Sequence, residues 1–368
     1  MALIKLNKEQ TLILSEIRKF SQTELEPLAV DIDRNDTFPV DVIKKLTDLG
    51  LSGIIIPEEY GGAALDTTSF CIVLEELARA SASVSMILFT NNCLVAYPLI
   101  RYASTEKKDK YLTRLCEGAI AGYCVEAKID AHRERLQART TEGECAISGE
   151  HGFVLNGETA QFLIMPISLS NRQLHVIDIQ KNMTAAKQNT MGLRGAGVAR
   201  FAFSNVVLSD ATSLTDAAQT AEVFRVVHDY ANIGFAAMSL GLAVAARDAS
   251  VAYAKERQQF GRLICEFPMV QEMLADMSAG IDAARYLVYG AATSADRGDD
   301  YARAAHTARL VSSDTAVFCG TKAVQVYGGY GYTKDYPVER YLRDAKTLQL
   351  IMDTPQDLKL AIAKELLK

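Results

Sequence analysis

Gln325-Val326-Tyr327-Gly328-Gly329-Tyr330-Gly331-Tyr332 is a turn of glycines and tyrosines that closes an apolar-periodic stretch over 301–326. Two such stretches, 222–258 and 268–295, precede it, and another, 354–367, follows. Four long helical segments after Ala217 predict a bundle. Further upstream the period shortens: 145–148, 162–167, 174–179 and 198–208 are short apolar runs separated by Gly, Asn and Ser, as strands of a small barrel or sandwich would be. From Asn7 to about Ile120 the pattern is helical again, with Leu12, Leu14, Ile17 and Phe20 opening an apolar face. Pro39 stands where a helix can start and Gly50 where it can stop, and Pro57 with Gly61-Gly62 marks a tight connection before a helix over 67–82. Helix, strand and helix in blocks predict an α+β architecture: an N-terminal helical domain over 1–120, a central β-barrel or sandwich domain over 121–215, and a C-terminal four-helix bundle over 216–368.

Bulk properties narrow the function. With 49% hydrophobic and 23% charged residues in 368, the chain has an ordinary globular composition and length enough for a packed core. A net charge of -6 and no basic run argue against a nucleic-acid partner. The seven cysteines are scattered, with no Cys-x-x-Cys pair and no His at ligand spacing, so the expectation is reduced thiols and no metal site. The N-terminus has no basic region leading into an apolar stretch, and no segment approaches the roughly 20 apolar residues of a membrane span. The chain is expected in the cytoplasm, without a membrane partner.

Seven segments, taken together and in order, resemble the acyl-CoA dehydrogenase family across nearly the whole chain. They are Gly50-Leu51-Ser52-Gly53-Ile54; Ile56-Pro57-Glu58-Glu59-Tyr60-Gly61-Gly62; Glu75-Glu76-Leu77-Ala78; Met191-Gly192-Leu193-Arg194-Gly195; Arg257-Gln258-Gln259-Phe260-Gly261; the turn at 325–332; and Glu339-Arg340-Tyr341-Leu342-Arg343-Asp344-Ala345-Lys346. A glycine pair beside an aromatic is common in turns, so no single segment carries the resemblance. The family's chemistry is FAD-linked α,β-desaturation of an acyl-CoA thioester. It requires a carboxylate within reach of the α-proton, a flavin to accept the β-hydride, and donors for the enolate-like oxygen.

Against that pattern, two sites of the chain have changed. Counting without a gap from Arg343, Met352 falls where relatives carry the basic Glu, and Asp353 falls on the following Gly; Asp353 is therefore a candidate displaced base, or a plain capping residue. Branched-chain members carry their base on the first long C-terminal helix, before an Arg, and Ala231 and Asn232 occupy those places, with Asp229 nearby. The glycine-rich flavin loop is replaced by Val125-Glu126-Ala127-Lys128-Ile129-Asp130-Ala131-His132, of which only Glu126 matches. Phe153-Val154-Leu155 stands for a Trp-x-Thr/Ser pattern, and the chain has no Trp.

Kept residues cluster in the part that, in the family's tetramers, reaches the adenosine and pyrophosphate half of a neighbour's flavin. Arg257 matches the pyrophosphate partner, Phe260 the adenine contact, and Gln325 and Gly329 the phosphate turn, whereas Pro268 stands where relatives often have Gln. Thr354 and Gln356 match flavin-side positions. The resemblance thus implies FAD that is shared across a subunit interface or absent from this chain's own site. It further implies an acyl-CoA or acyl-carrier thioester as ligand, a paralogous subunit or a second copy as partner, and electron-transfer flavoprotein as acceptor. One reading is a dehydrogenase subunit that completes a partner's flavin site. Others are a flavin-free lyase, hydratase or cyclase using Glu126, Asp130, His132, Asp229 or Asp353; a thioester-binding protein without turnover; and an ordinary dehydrogenase with Asp353 as base. Met86, Leu88, Phe89, Cys93 and Val95 are either an acyl-pocket wall or plain core.

Overall fold

The computed structural model describes residues 4–125, 136–141, 144–168, 172–209, 212–214 and 220–368. The chain begins with seven helices: α1 (Lys8–Phe20), α2 (Ala29–Asn35), α3 (Val40–Asp48), α4 (Thr67–Ala80), α5 (Ala82–Phe89), α6 (Tyr97–Tyr102) and α7 (Thr105–Cys116). Asn7 caps α1 through a reciprocal pair, its side chain accepting from the Gln10 N–H at 2.8 Å while the Gln10 side chain accepts from the Asn7 N–H at 3.0 Å. The buried face of α1 is Gln10, Ile17 and Phe20; Leu12 lies outside that arc and is exposed, so the apolar face is narrower than the run of leucines suggests. Before α4, Gly62 sits so close to the Ile56 carbonyl that a Cβ would fall 2.0 Å from its oxygen, which ties the Pro57-to-Gly62 turn to glycine.

Helix α4 is buried nearly all round, and its two carboxylates are matched rather than exposed. Glu75 accepts from Arg285 at 2.6 Å and from the Tyr289 hydroxyl at 2.7 Å, and Glu76 accepts from Arg18 at 2.7 and 3.1 Å. The Glu75-Glu76 motif therefore works as a buried latch between the N-terminal helices and the bundle.

The middle of the chain forms one mixed sheet of β1 (Ala121–Cys124), β2 (Gln137–Thr141), β3 (Glu144–Leu155), β4 (Phe162–Ser168), β5 (Arg172–Asp178), β6 (Met183–Lys187) and β7 (Ala199–Leu208). The strand order is β5-β4-β1-β3-β7-β6, with β2 on β3; β1 and β4 run parallel and every other pair antiparallel. β3 is bulged at two places, and the bent sheet encloses its own apolar core on one face, with Ile147, Val154, Leu163, Met165, Phe201 and Phe203. Leu155, Phe162, Ile164 and Val176 on the other face join the helical core. Strands β1, β2 and β6 were not marked by the apolar runs, since they are short and β6 is exposed for most of its length.

Five helices complete the chain: α8 (Thr220–Glu256), α9 (Pro268–Arg297), α10 (Ala302–Tyr327), α11 (Val338–Leu350) and α12 (Pro355–Leu366), with a small hairpin of β8 (Gln258–Gln259) and β9 (Arg262–Leu263) after α8. Helix α10 packs against α8, α9, α11 and α12, so it is the axis of the bundle. The segment Met191–Gly195 joins all three parts: the Leu193 N–H donates to Asp344 at 2.7 Å, the Gly195 N–H to Asp36 at 2.7 Å, and Arg194 Nε to the Asp33 carbonyl at 2.8 Å.

One expectation needs correction. Two helical stretches, Ala82–Tyr102 and Glu222–Glu256, are long and apolar enough to cross a membrane, contrary to the sequence reading. Of their most apolar windows 89% and 72% is buried inside the protein, which accounts for the composition: both are central core helices enclosed by their neighbours. Met86, Leu88, Phe89, Cys93 and Val95 belong to the first of them, and all five are fully packed in the helical core, Phe89 against Phe235 at 4.4 Å between ring centroids.

Candidate functional site

Two places carry the residues singled out from sequence. The first is the outer end of the bundle. Phe260 and Gly261 are the two central residues of the β8–β9 hairpin, both with positive φ (52° and 78°). Such a turn suits Asn-Gly or Gly-Gly, and a phenylalanine there costs about 1 kcal/mol or more of backbone strain. The ring recovers little by packing, being 93% exposed with an edge-on Phe267 at 6.4 Å. Arg257 stands beside it, its guanidinium 5.4 Å from the Tyr330 ring and, among the described residues, without a carboxylate partner. Across from Arg257, Gly328 has φ 60° and ψ -137°, which only glycine adopts readily. Gly329 has no such excuse: its φ is not positive, and an added Cβ would meet nothing within 4 Å. Gln325 is exposed on the last turn of α10. At this end of the bundle Arg257 thus lies beside Tyr330, next to Gly329 in the chain, and Phe260, Gln325 and Gly329 are exposed.

The second place is the interior where α8, α10 and the α11–α12 connection meet. Met352, half-buried, has φ 64° inside a tight turn closed by the Asp353 N–H on the Ile351 carbonyl at 2.8 Å. Arg309 of α10, 1% exposed, holds that turn from beneath. Its guanidinium donates to the Ile351 carbonyl, to the Asp353 carbonyl at 3.1 Å and to Asn232 Oδ1 at 2.7 Å, and it lies 4.2 Å from the Phe235 ring centroid. Burial lowers its pKa to about 10. The Asp353 carboxylate points inward, with Oδ2 3.5 Å from Arg309 Nη1 and 3.4 Å from His228 Nδ1. A second pair lies alongside: Asp229 approaches His306 Nε2 at 3.3 Å and Arg225 at 3.1 Å. Thr354 and Asp357 form a reciprocal cap at the start of α12, and Gln356 is exposed on its first turn.

His228, His306 and Arg309 were not singled out from sequence. Arg309 was legible as a cation on the alanine-lined, buried face of α10, where it needs a partner, with His306 three residues before it. Their partners lie 44 and 77 residues away along the chain and could not be read from spacing.

A cavity of about 590 Å³ opens next to this interior, between the start of α4, α6, α8 and the α9–α10 turn. Asp229 and Arg225 form one wall, and Tyr97, stacked on Tyr230 at 3.9 Å, forms another with Tyr301 at 3.2 Å. A second cleft, about 340 Å³, is lined by the Arg18, Glu75, Glu76, Arg79, Asp248 and Arg285 pairs that neutralise one another.

FAD can be tested against both places. The open surface suits its dinucleotide half: a planar cation for phosphate oxygens, an exposed ring for adenine, and a backbone without side chain in front. The ring side, among the described residues, suits it poorly. Leu155, at the place of the hydroxyl, is fully buried in the helical core and offers no hydrogen bond, and Val154 is fully buried inside the sheet. Phe153 is half-buried against the same helical core. Glu126, Asp130 and His132 lie outside the described residues.

Comparison with known proteins agrees with the architecture. Residues 7–119 match the acyl-CoA dehydrogenase N-terminal domain and residues 224–367 the C-terminal domain. An acyl-CoA dehydrogenase of Bacillus subtilis (strain 168) is 34% identical over 372 residues, covering 98% of each chain. Butyryl-CoA dehydrogenase from Megasphaera elsdenii superposes with a TM-score of 0.93 at 29% identity, over 99% of this chain and 100% of that one. A structure from work on the electron transferring flavoprotein of Acidaminococcus fermentans does so with a TM-score of 0.93 at 31% identity, covering 99% of both.

Proposed function

Because the chain belongs to the acyl-CoA dehydrogenase family of flavoprotein oxidoreductases, we propose that it works as a non-oxidising subunit that completes the flavin site of a competent paralogue. In this reading the partner supplies the basic Glu and the glycine-rich loop, and this chain supplies Arg257, Phe260, Gln325 and Gly329 to the dinucleotide half of the partner's FAD. A FAD held there would supply the hydride acceptor for an acyl-CoA thioester, with an electron-transfer flavoprotein as the electron acceptor of the complex. The complex works in the cytoplasm.

What supports the reading is the state of Phe260. An aromatic that is strained, solvated and unpacked stabilises nothing within its own chain, so its place must be accounted for outside it. Gly329 adds the same argument, because nothing in this chain forbids a side chain there. Arg257 lies beside Tyr330 of that glycine's turn, where a cation would suit a phosphorylated ligand.

Co-expression with an acyl-CoA dehydrogenase paralogue that retains the Glu and the glycine-rich loop tests it. The expected product is a yellow complex containing fewer flavins than chains, whose flavin is lost on Arg257→Ala in this chain. A homotetramer with a full flavin complement would reject the proposal.

A further inference from the structure

We propose that His228, oriented by Asp353, is a proton-transfer group that lets this chain withdraw and return the α-proton of an acyl thioester without oxidising it. The inference rests on family membership for the thioester. It does not rest on the shared flavin site.

Loss of the Glu leaves a thioether at Met352, which cannot accept a proton from carbon. Yet the turn around it is neither relaxed nor empty of acid–base groups. Arg309 pins the carbonyls on both sides of Met352, and Asp353, the next residue, is thereby fixed with Oδ2 toward His228 Nδ1 at 3.4 Å. A carboxylate facing Nδ1 favours the tautomer that carries the proton there, which leaves the Nε2 lone pair as the free basic site. Among the described residues Nε2 has no protein partner, and the His228 side chain is 21% exposed, so it is screened from bulk water but not sealed. Apo distances of this length commonly shorten when substrate binds.

The surroundings fit the role. Asn232, where branched-chain relatives carry an Arg, is met by the Arg309 guanidinium from the opposite helix, so the positive charge of this place is restored from a different element. Asp229 and Arg225, which flank His228 along α8, line the 590 Å³ cavity, so a space large enough for part of a thioester lies one residue away from the ring.

The step balances without a redox partner. His228 Nε2 takes the α-proton, the C–H electron pair moves onto the thioester carbonyl as an enolate, and the imidazolium returns a proton to the same carbon. In D2O the imidazolium exchanges its Nε2 proton for a deuteron from solvent before the return, so deuterium enters the α-carbon, and the thioester is otherwise unchanged.

The test is α-hydrogen exchange of butyryl-CoA, isobutyryl-CoA and longer saturated acyl-CoA esters in D2O, followed by mass spectrometry, with flavin-stripped protein and no electron acceptor. The expected result is exchange of at least one ester well above the buffer rate, reduced at least roughly 100-fold by His228→Gln. Asp353→Asn should lower the exchange rate with KM unchanged, and Asp353→Glu should recover part of it, which a packing defect would not produce. Thermal melts of the three variants identify any that fail to fold, and His228, partly exposed, is the variant on which the outcome depends. Exchange at the buffer rate on every ester, or exchange undiminished in His228→Gln, overturns the proposal. Because flavin is stripped beforehand, this result is independent of whether the chain completes a partner's site.

Discussion

The hairpin at Phe260 and the turn at Met352 are both strained, yet they are held in opposite ways. Around Met352 the positive φ is enforced from below: Arg309 satisfies two carbonyls and Asn232, and Asp353 is enclosed between Arg309 and His228. Around Phe260, among the described residues, only the β8–β9 pairing holds the turn; the ring is exposed, and a Cβ at Gly329 would meet nothing within 4 Å. Strain maintained by packing belongs to the molecule's own stability and chemistry. Strain without packing points to something the isolated chain does not contain.

The largest expected effect comes from breaking the enclosed side. Arg309→Met removes the cation and leaves Asp353 buried beside a thioether, with an expected loss of about 3–5 kcal/mol in urea denaturation. Adding Asp353→Asn to the same protein should recover part of that loss, because the uncompensated charge goes with it. Comparable loss from Arg257→Ala, an open-side residue, would erase the contrast.

Acid sharpens it next. His151 and His175 are buried, and desolvation lowers each pKa from its ordinary 6.5 to about 4. Their neutral forms favour the fold, so this contribution is full above pH 6.5 and is lost as pH falls toward 4. Between pH 7 and pH 5 the expected cost is about 2 kcal/mol for each, read from urea midpoints. His175→Gln should remove its share, and open-side variants should leave the slope as it is.

Smaller, and opposite in sign, is Phe260→Gly. Glycine relieves the backbone at no packing cost, so the isolated chain should gain up to about 1 kcal/mol in thermal or urea denaturation, while the complex with a competent paralogue should hold its FAD more weakly. A destabilised isolated chain would mean that the ring packs within it after all. The smallest effect is Gly329→Ala, expected within about 0.5 kcal/mol of the parent in stability, but with measurably faster FAD loss from the complex in a fluorescence assay.

The architecture was legible because its determinants are local or repeated. The long periods of α8, α9 and α10 and the glycine stops at Gly50 and Gly61-Gly62 each act over a few residues, and all appear close to where the sequence places them. Short strands such as β1 and β6 escape because four or five residues carry too little pattern. Leu12 misleads because an amphipathic face cannot be fixed from one helix without its neighbour. Arg257, Phe260 and Gly329 are candidates from sequence because the family motifs are contiguous. Arg309, His228 and Asp353 meet only through the crossing of α8, α10 and the α11–α12 turn, so the interior is visible only in three dimensions.

Acid release of FAD per polypeptide, measured on the chain expressed and purified without any partner, separates an incomplete flavin site from a complete one. The expectation is far less than one FAD per chain, with colour appearing only on assembly with a competent paralogue. One firmly held FAD per polypeptide, together with dye-coupled oxidation of a saturated acyl-CoA by that preparation, would contradict it.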